Sequence, residues 1–158
     1  MGGHMNIVLV EPEIPGNTGT IARTCAATGA ALHLVHPLGF SLEDRYLRRA
    51  GLDYWSLLTI LHYDSFRDVR ERHPDGVFHF LTTHAGKTYT EVAYGADDFL
   101  VFGKETRGLP PELIAENRAR CCRIPMLDEA KARSLNLSNA VGIVLYEALR
   151  QNGFGGLR

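Results

Sequence analysis

Three segments of the sequence concentrate Gly, Asn, Ser and charge beyond what their places after strand-like runs demand. The first, Pro15-Gly16-Asn17-Thr18-Gly19-Thr20-Ile21-Ala22-Arg23, is a loop running into a helix, where backbone N–H groups and the helix dipole can receive an anion. Taken alone it reads first as an N-cap at Asn17 flanked by turn glycines. The second, Leu100-Val101-Phe102-Gly103-Lys104-Glu105-Thr106-Arg107-Gly108-Leu109-Pro110, is a strand that breaks into a glycine-bounded polar loop at its carboxyl end. Ligands of open parallel sheets sit at such ends. Gly103 and Gly108 would let backbone approach a bound molecule closely, and Glu105 could accept hydrogen bonds from a ribose or an amine. The third, Arg133-Ser134-Leu135-Asn136-Leu137-Ser138-Asn139-Ala140, opens the last helix, and a cap at Ser138 or Asn136 accounts for only one of its polar residues. The excess of neutral hydroxyl and amide groups suits a ribose, a base edge or the methionine end of a cofactor.

The elements that must position these residues alternate. Short apolar runs at 6–10, 31–35, 77–82, 99–103 and 120–124 are separated by helical segments, the pattern of a parallel sheet covered by helices, and hence of an α/β domain. In the first helix Ile21, Thr24, Cys25 and Thr28 share a face, Asn17 or Thr18 caps the start and Gly29 suits the end, which places Arg23 off the core face. Further helices are expected over 42–50 and 65–72, and another opening at Pro110-Pro111. The last carries a wide apolar stripe, Leu137, Ala140, Val141, Val144, Leu145, Ala148 and Leu149, and stops at Asn152-Gly153. So wide a stripe suits packing on the sheet or on a second subunit.

Composition narrows the classes. With 45% apolar and 22% charged residues, 158 residues suffice for a buried core without disulfides. Met1-Gly2-Gly3-His4 reads as an expression remnant ahead of Met5, leaving one domain over 5–158. No apolar run approaches the roughly 18 residues that span a bilayer, and segment 6–10 lacks signal-peptide flanks, so a cytoplasmic protein is expected. The odd set Cys25, Cys121 and Cys122 makes no disulfide framework and lacks metal-ligand spacing, and no metal is expected. Dinucleotide, P-loop and nucleophile-elbow fingerprints are missing. A net charge of −1 excludes a globally basic nucleic-acid binder. Any RNA contact must be a local patch, drawn from Arg45, Arg48 and Arg49, from Arg67, Arg70 and Arg72, or from Arg118, Arg120, Arg123, Lys131 and Arg133.

Together, Asn17-Thr18-Gly19 with Arg23, then Phe102-Gly103-Lys104-Glu105-Thr106-Arg107-Gly108-Leu109-Pro110, then Ser134-Leu135-Asn136-Leu137-Ser138-Asn139 resemble in order and spacing the motifs of the SPOUT superfamily, specifically its TrmH-like RNA 2'-O-methyltransferases. Glu11-Pro12-Glu13-Ile14-Pro15, Leu47-Arg48-Arg49-Ala50-Gly51-Leu52-Asp53-Tyr54 and Ile124-Pro125-Met126 are similar to the TrmL-like branch, so the likeness spans nearly the whole chain. The resemblance implies a minimal parallel-sheet α/β fold with a C-terminal trefoil knot, a homodimer, S-adenosyl-L-methionine bound in the knot, and methylation of the wobble-nucleotide ribose of leucine tRNAs. It implies that Leu81, Gly103, Ile124 and Ser134 line the cofactor, and that Arg23, Asn17, Glu105, Ser134 and Asn136 form the catalytic and substrate-orienting set. A guanidinium is normally protonated, so Arg23 is expected first to orient substrate, with proton abstraction by Arg23 as the lesser reading. Gly103→Val is expected to abolish cofactor binding with the fold intact. Two other readings stand beside this one: a sister enzyme acting on another tRNA or rRNA ribose, and a non-catalytic RNA-binding module, against which the joint presence of Arg23, Glu105, Ser134 and Asn136 argues.

Overall fold

The computed structural model describes residues 3–43, 45, 56–129, 131 and 134–158. Six strands form one sheet: β1 (Asn6–Val10), β2 (Ala31–Val35), β3 (Ile60–Tyr63), β4 (Phe78–Leu81), β5 (Phe99–Phe102) and β6 (Cys121–Cys122), in the order β3-β2-β1-β5-β4-β6. Every ladder is parallel. Among the described residues the α-helices are α1 (Pro15–Thr28), α2 (Phe66–Arg72), α3 (Pro111–Glu116) and α4 (Leu137–Gln151).

The continuous apolar runs follow from burial on both faces, as a parallel sheet under two helical layers requires. Alternation within β1 and β5 divides the core. Ile7, Leu9, Leu100 and Phe102 meet Ile21, Ala22 and Cys25 of α1 and Val141, Val144 and Leu145 of α4, all on one face. Val8, Val10, Phe99 and Val101 meet Val69 of α2 and Ile114 of α3 on the other. The stripe of α4 is thus consumed largely inside the chain, with Leu137, Val141, Val144, Leu145 and Ala148 buried, while Ile143 and Tyr146 stand outward.

Local departures have physical reasons. Helix α1 starts at Pro15 with Ile14 as its N-cap residue and no side-chain cap, not at Asn17 or Thr18, because proline is preorganised for the first turn. Gly29 ends it in the left-handed conformation with φ 78°, as expected. Ser65 caps α2 by accepting from Asp68 N–H at 3.1 Å. β3, Ile-Leu-His-Tyr, lies outside the apolar runs expected as strands: it is an edge strand, mostly half-exposed, too short for periodicity to mark. The helix expected over 42–50 falls largely outside the described residues. No described helix is long and apolar enough to cross a membrane.

The C-terminal third is tied back to the middle of the chain. Beyond β6, Arg123 pairs with segment 87–89: its N–H donates to Lys87 O at 2.8 Å and its carbonyl accepts from Tyr89 N–H at 2.8 Å. The chain then returns across the sheet to α4. The end of α4 is held by the same connection between β4 and β5, with Gln151 donating to Val92 O at 2.8 Å and accepting from Tyr94 N–H at 2.9 Å.

Candidate active site

A cavity of about 290 Å³ opens at the carboxyl ends of β4, β5 and β6, closed on its fourth side by the start of α4. Leu81, Gly103, Ile124 and Ser134, the residues expected to line a cofactor, all line it. Phe102, Met126 and Leu137 extend the apolar wall, and Thr82, Thr83 and His84 of the loop after β4 join it without having been expected there. These three residues carry neither a glycine nor a charge run to draw notice.

The β5 loop has its shape because of its glycines. A Cβ on Gly103 would lie 2.0 Å from the Gly108 carbonyl carbon and 2.1 Å from Leu109 N. The loop folds back on itself, Gly108 N–H donates to Lys104 O at 2.9 Å, and Gly108 takes φ 69°. The room expected for a bound molecule beside Gly103 is therefore filled by the loop's own backbone.

Glu105 stands at the centre of a polar network. Its Oε1 accepts from Glu13 N–H at 2.8 Å, and its Oε2 accepts from Ile14 N–H at 3.0 Å and Asn17 Nδ2 at 3.2 Å. A carboxylate from another loop thus meets the amino terminus of α1, where the helix dipole favours negative charge. Asn17 Oδ1 in turn accepts from Asn136 Nδ2 at 3.1 Å. Asn136 Oδ1 caps α4, accepting from Ser138 N–H at 2.9 Å and Asn139 N–H at 3.4 Å. One chain of contacts therefore joins the three segments singled out from their composition. Both Glu105 oxygens accept from protein donors.

Two further acids belong to the site that the sequence reading passed over. Glu13 Oε1 accepts from the Thr106 N–H at 3.0 Å and hydroxyl at 2.8 Å, and these bonds, the backbone one foremost, hold its carboxyl below the ordinary value. Glu11 pairs with Lys104 Nζ at 3.3 Å. Two carboxylates among prolines ahead of the first helix were the signal for both.

Of the remaining predicted residues, Ser134 is exposed at the cavity, while Arg23 is exposed on α1, off the core face as expected and outside the cavity lining. Candidate basic patches fare unevenly. Arg70 lies 5.0 Å from the Phe78 ring centroid and Arg72 4.7 Å from that of Tyr63, so both cover aromatic surface. Arg48, Arg49 and Arg133 lie outside the described residues.

Residues 4–146 match the model of the SpoU rRNA Methylase family. The chain belongs to this family. A SpoU relative of Saccharophagus degradans, named tRNA (cytidine(34)-2'-O)-methyltransferase, is 51% identical over 155 residues, covering 96% of this chain and 97% of its own. A solved structure described as giving insights into 2-OH methylation of C/U34 on tRNA is 43% identical with a TM-score of 0.89, covering 96% of this chain and 97% of that one. An AdoMet-bound rRNA methyltransferase from Sinorhizobium meliloti shares 31% identity and a TM-score of 0.82, over 95% of this chain and 57% of its own. The fold is thus that of the SPOUT methyltransferases.

Proposed function

We propose that this protein transfers the methyl group of S-adenosyl-L-methionine to the 2'-hydroxyl of the wobble nucleotide, position 34, of tRNA. The observation that carries the reading is the meeting of cavity and network: the Asn17, Glu105 and Asn136 contact stands beside the cavity that Leu81, Gly103, Ile124 and Ser134 line. Relatives of about this chain's length named for that reaction support it.

The cavity fits the donor by its chemistry. Leu81, Phe102, Ile124 and Leu137 form an apolar wall for a flat adenine, and exposed loop backbone and Ser134 offer polar groups for the ribose and methionine parts. The donor supplies an electrophilic sulfonium methyl. The ribose oxygen would attack that carbon in line, the carbon–sulfur bond would break with its electron pair going to the departing thioether sulfur, and the hydroxyl proton would pass to water. The protein's share is alignment. Asn17 and Asn136 hold the two helix starts, Glu105 fixes the loop between them, and Arg23 orients the substrate phosphate and stabilises charge on the attacking oxygen.

Finer readings accompany this one: leucine isoacceptors as substrates, a cytoplasmic homodimer, and a C-terminal trefoil knot. Ile143 and Tyr146, apolar and outward on α4, support the dimer. The hold of the β4 to β5 connection on both Arg123 and Gln151 supports the knot. Incubating tRNA from cells lacking the modification with labelled donor, then mapping the methylated nucleotide, tests the function. Label at nucleotide 34 of leucine tRNAs is expected. Label on another ribose overturns the wobble assignment, and no label overturns the enzyme.

A further inference from the structure

We propose that Glu13 is a positioning residue for methyl transfer, setting the donor cavity in register with the helix that meets the substrate. The inference rests on the proposed methyl transfer and concerns a side chain outside the three polar motifs.

Glu13 lies in the short segment 11–14 that joins β1 to α1, and β1 and β5 are neighbours, so this segment and the 103–108 loop leave the same end of adjacent strands. The two exchange carboxylates. Glu13 gives its N–H to Glu105 Oε1 at 2.8 Å, and its own Oε1 takes the Thr106 N–H and hydroxyl at 3.0 and 2.8 Å. On one side of this clasp stands the cavity wall, residues 103–109. On the other α1 begins, carrying Asn17 and Arg23.

The clasp is placed to control geometry more than stability. Thr106 is exposed, and solvated bonds of this kind add little to folding. The backbone at Glu13 is also held from behind: Gly39 N–H donates to Pro12 O at 2.9 Å, and a Cβ on Gly39 would come within 2.8 Å of Glu13 Cα. Removing the carboxylate therefore loosens the β5 loop at Thr106, while Glu105 still ties it to α1, rather than collapsing the segment. In-line displacement is steeply sensitive to such freedom, since a misplacement of about 1 Å can cost about 100-fold in rate.

Three variants read the clasp on whichever RNA the unaltered protein methylates: Glu13→Ala, Glu13→Gln and Thr106→Val. Glu13→Ala is expected to lower kcat by roughly 10- to 100-fold. Donor Kd by calorimetry and KM for the RNA should hold within about threefold, the pattern of a lost alignment rather than lost binding. Glu13→Gln keeps an amide oxygen that accepts both Thr106 donors and should restore most of the rate. Thr106→Val loses only the hydroxyl donor and should fall between them, with the double variant Glu13→Ala/Thr106→Val no worse than Glu13→Ala alone. Amide exchange at Thr106 should quicken in Glu13→Ala and recover in Glu13→Gln, a readout independent of activity. A wild-type kcat in Glu13→Ala overturns the proposal, as does a Glu13→Gln as slow as Glu13→Ala, or donor affinity lost in step with kcat. Should Glu13→Ala not fold, Glu13→Gln against Thr106→Val makes the same comparison. An unaltered protein that methylates no RNA overturns the proposed function and this inference with it.

Discussion

Arg23 stands on the solvent side of α1, away from Ile21 and Cys25, which face the core. Arg23→Ala should therefore leave melting temperature and donor binding nearly unchanged while cutting methyl transfer by about 100-fold or more, as loss of a transition-state contact does. Arg23→Lys should rescue poorly, because a point charge cannot reproduce a planar two-pronged contact with phosphate. Methyl-transfer kinetics beside a thermal melt check both. Gly103 behaves oppositely. Its Cβ position, 2.0 Å from the Gly108 carbonyl carbon, is already taken by backbone, so Gly103→Val must move the loop and should cost at least about 1–3 kcal/mol. Melting temperature and donor affinity should drop together. A variant with normal stability and no donor binding would restore the simpler expectation that the glycine only spares room for the ligand. Composition alone points to Gly103 but not to what fills its space, because the partner peptide at Gly108 and Leu109 arrives through a turn that no spacing rule encodes.

At the scale of elements, legibility followed burial. β1, β2 and β5 are buried on every residue and read directly as apolar runs, whereas β3, with His62 exposed, Ile60 and Leu61 half-buried and only Tyr63 buried, did not. The three polar segments were visible as local excess. Their joining through Asn17, Glu105 and Asn136 was not, because the contacts run between loops far apart in sequence. Nor could the stripe of α4 declare its use; its width served α1 and β5 within the chain, and the outward residues that support a dimer are Ile143 and Tyr146. Gly142 lies in the middle of that helix, and a methyl group added there would meet nothing within 4 Å. Gly142→Ala should raise stability by about 0.5–1 kcal/mol through helix propensity, visible as a rise of a few degrees in the melt. A fall instead would mean that a second helix packs closely on that face.

At the scale of the whole molecule, buried imidazoles make stability sensitive to acid. His33 is 1% exposed, with Nε2 2.9 Å from Asn6 Oδ1 and Nδ1 2.7 Å from the Tyr63 hydroxyl. Asn6 Nδ2 donates to Asp97 O, so its Oδ1 accepts from His33 Nε2–H, and Nδ1 takes the Tyr63 proton. A second proton would have to sit on Nδ1 and turn the Tyr63 hydroxyl towards His73 Nε2, 2.9 Å away, and burial foremost pushes this imidazole down to about 3. A folded value below the unfolded one means that stability is full above about pH 6.5 and declines as pH falls from there towards 3. By pH 5 the loss should be on the order of 2 kcal/mol. His62, His73 and His79, also lowered by burial, act in the same direction. Urea midpoints at pH 7 and pH 5 should differ, and His33→Gln should shrink the difference; an unchanged slope would assign it to the other histidines.

The wall that α4 contributes to the cavity has a consequence for how the protein is made. Ser134, Leu135, Leu137 and Ala140 follow all six described strands in the sequence, so they leave the ribosome after the strands that carry the other walls. Before α4 emerges, a nascent chain lacks both that wall and the side chains that cover one face of β1 and β5. Termination shortly before α4 removes Val141, Val144 and Leu145 from the core as well as the cavity wall at Leu137 and Ala140. Core and cavity are thus completed in the same step, and a product truncated there is expected to lack a stable sheet along with its pocket.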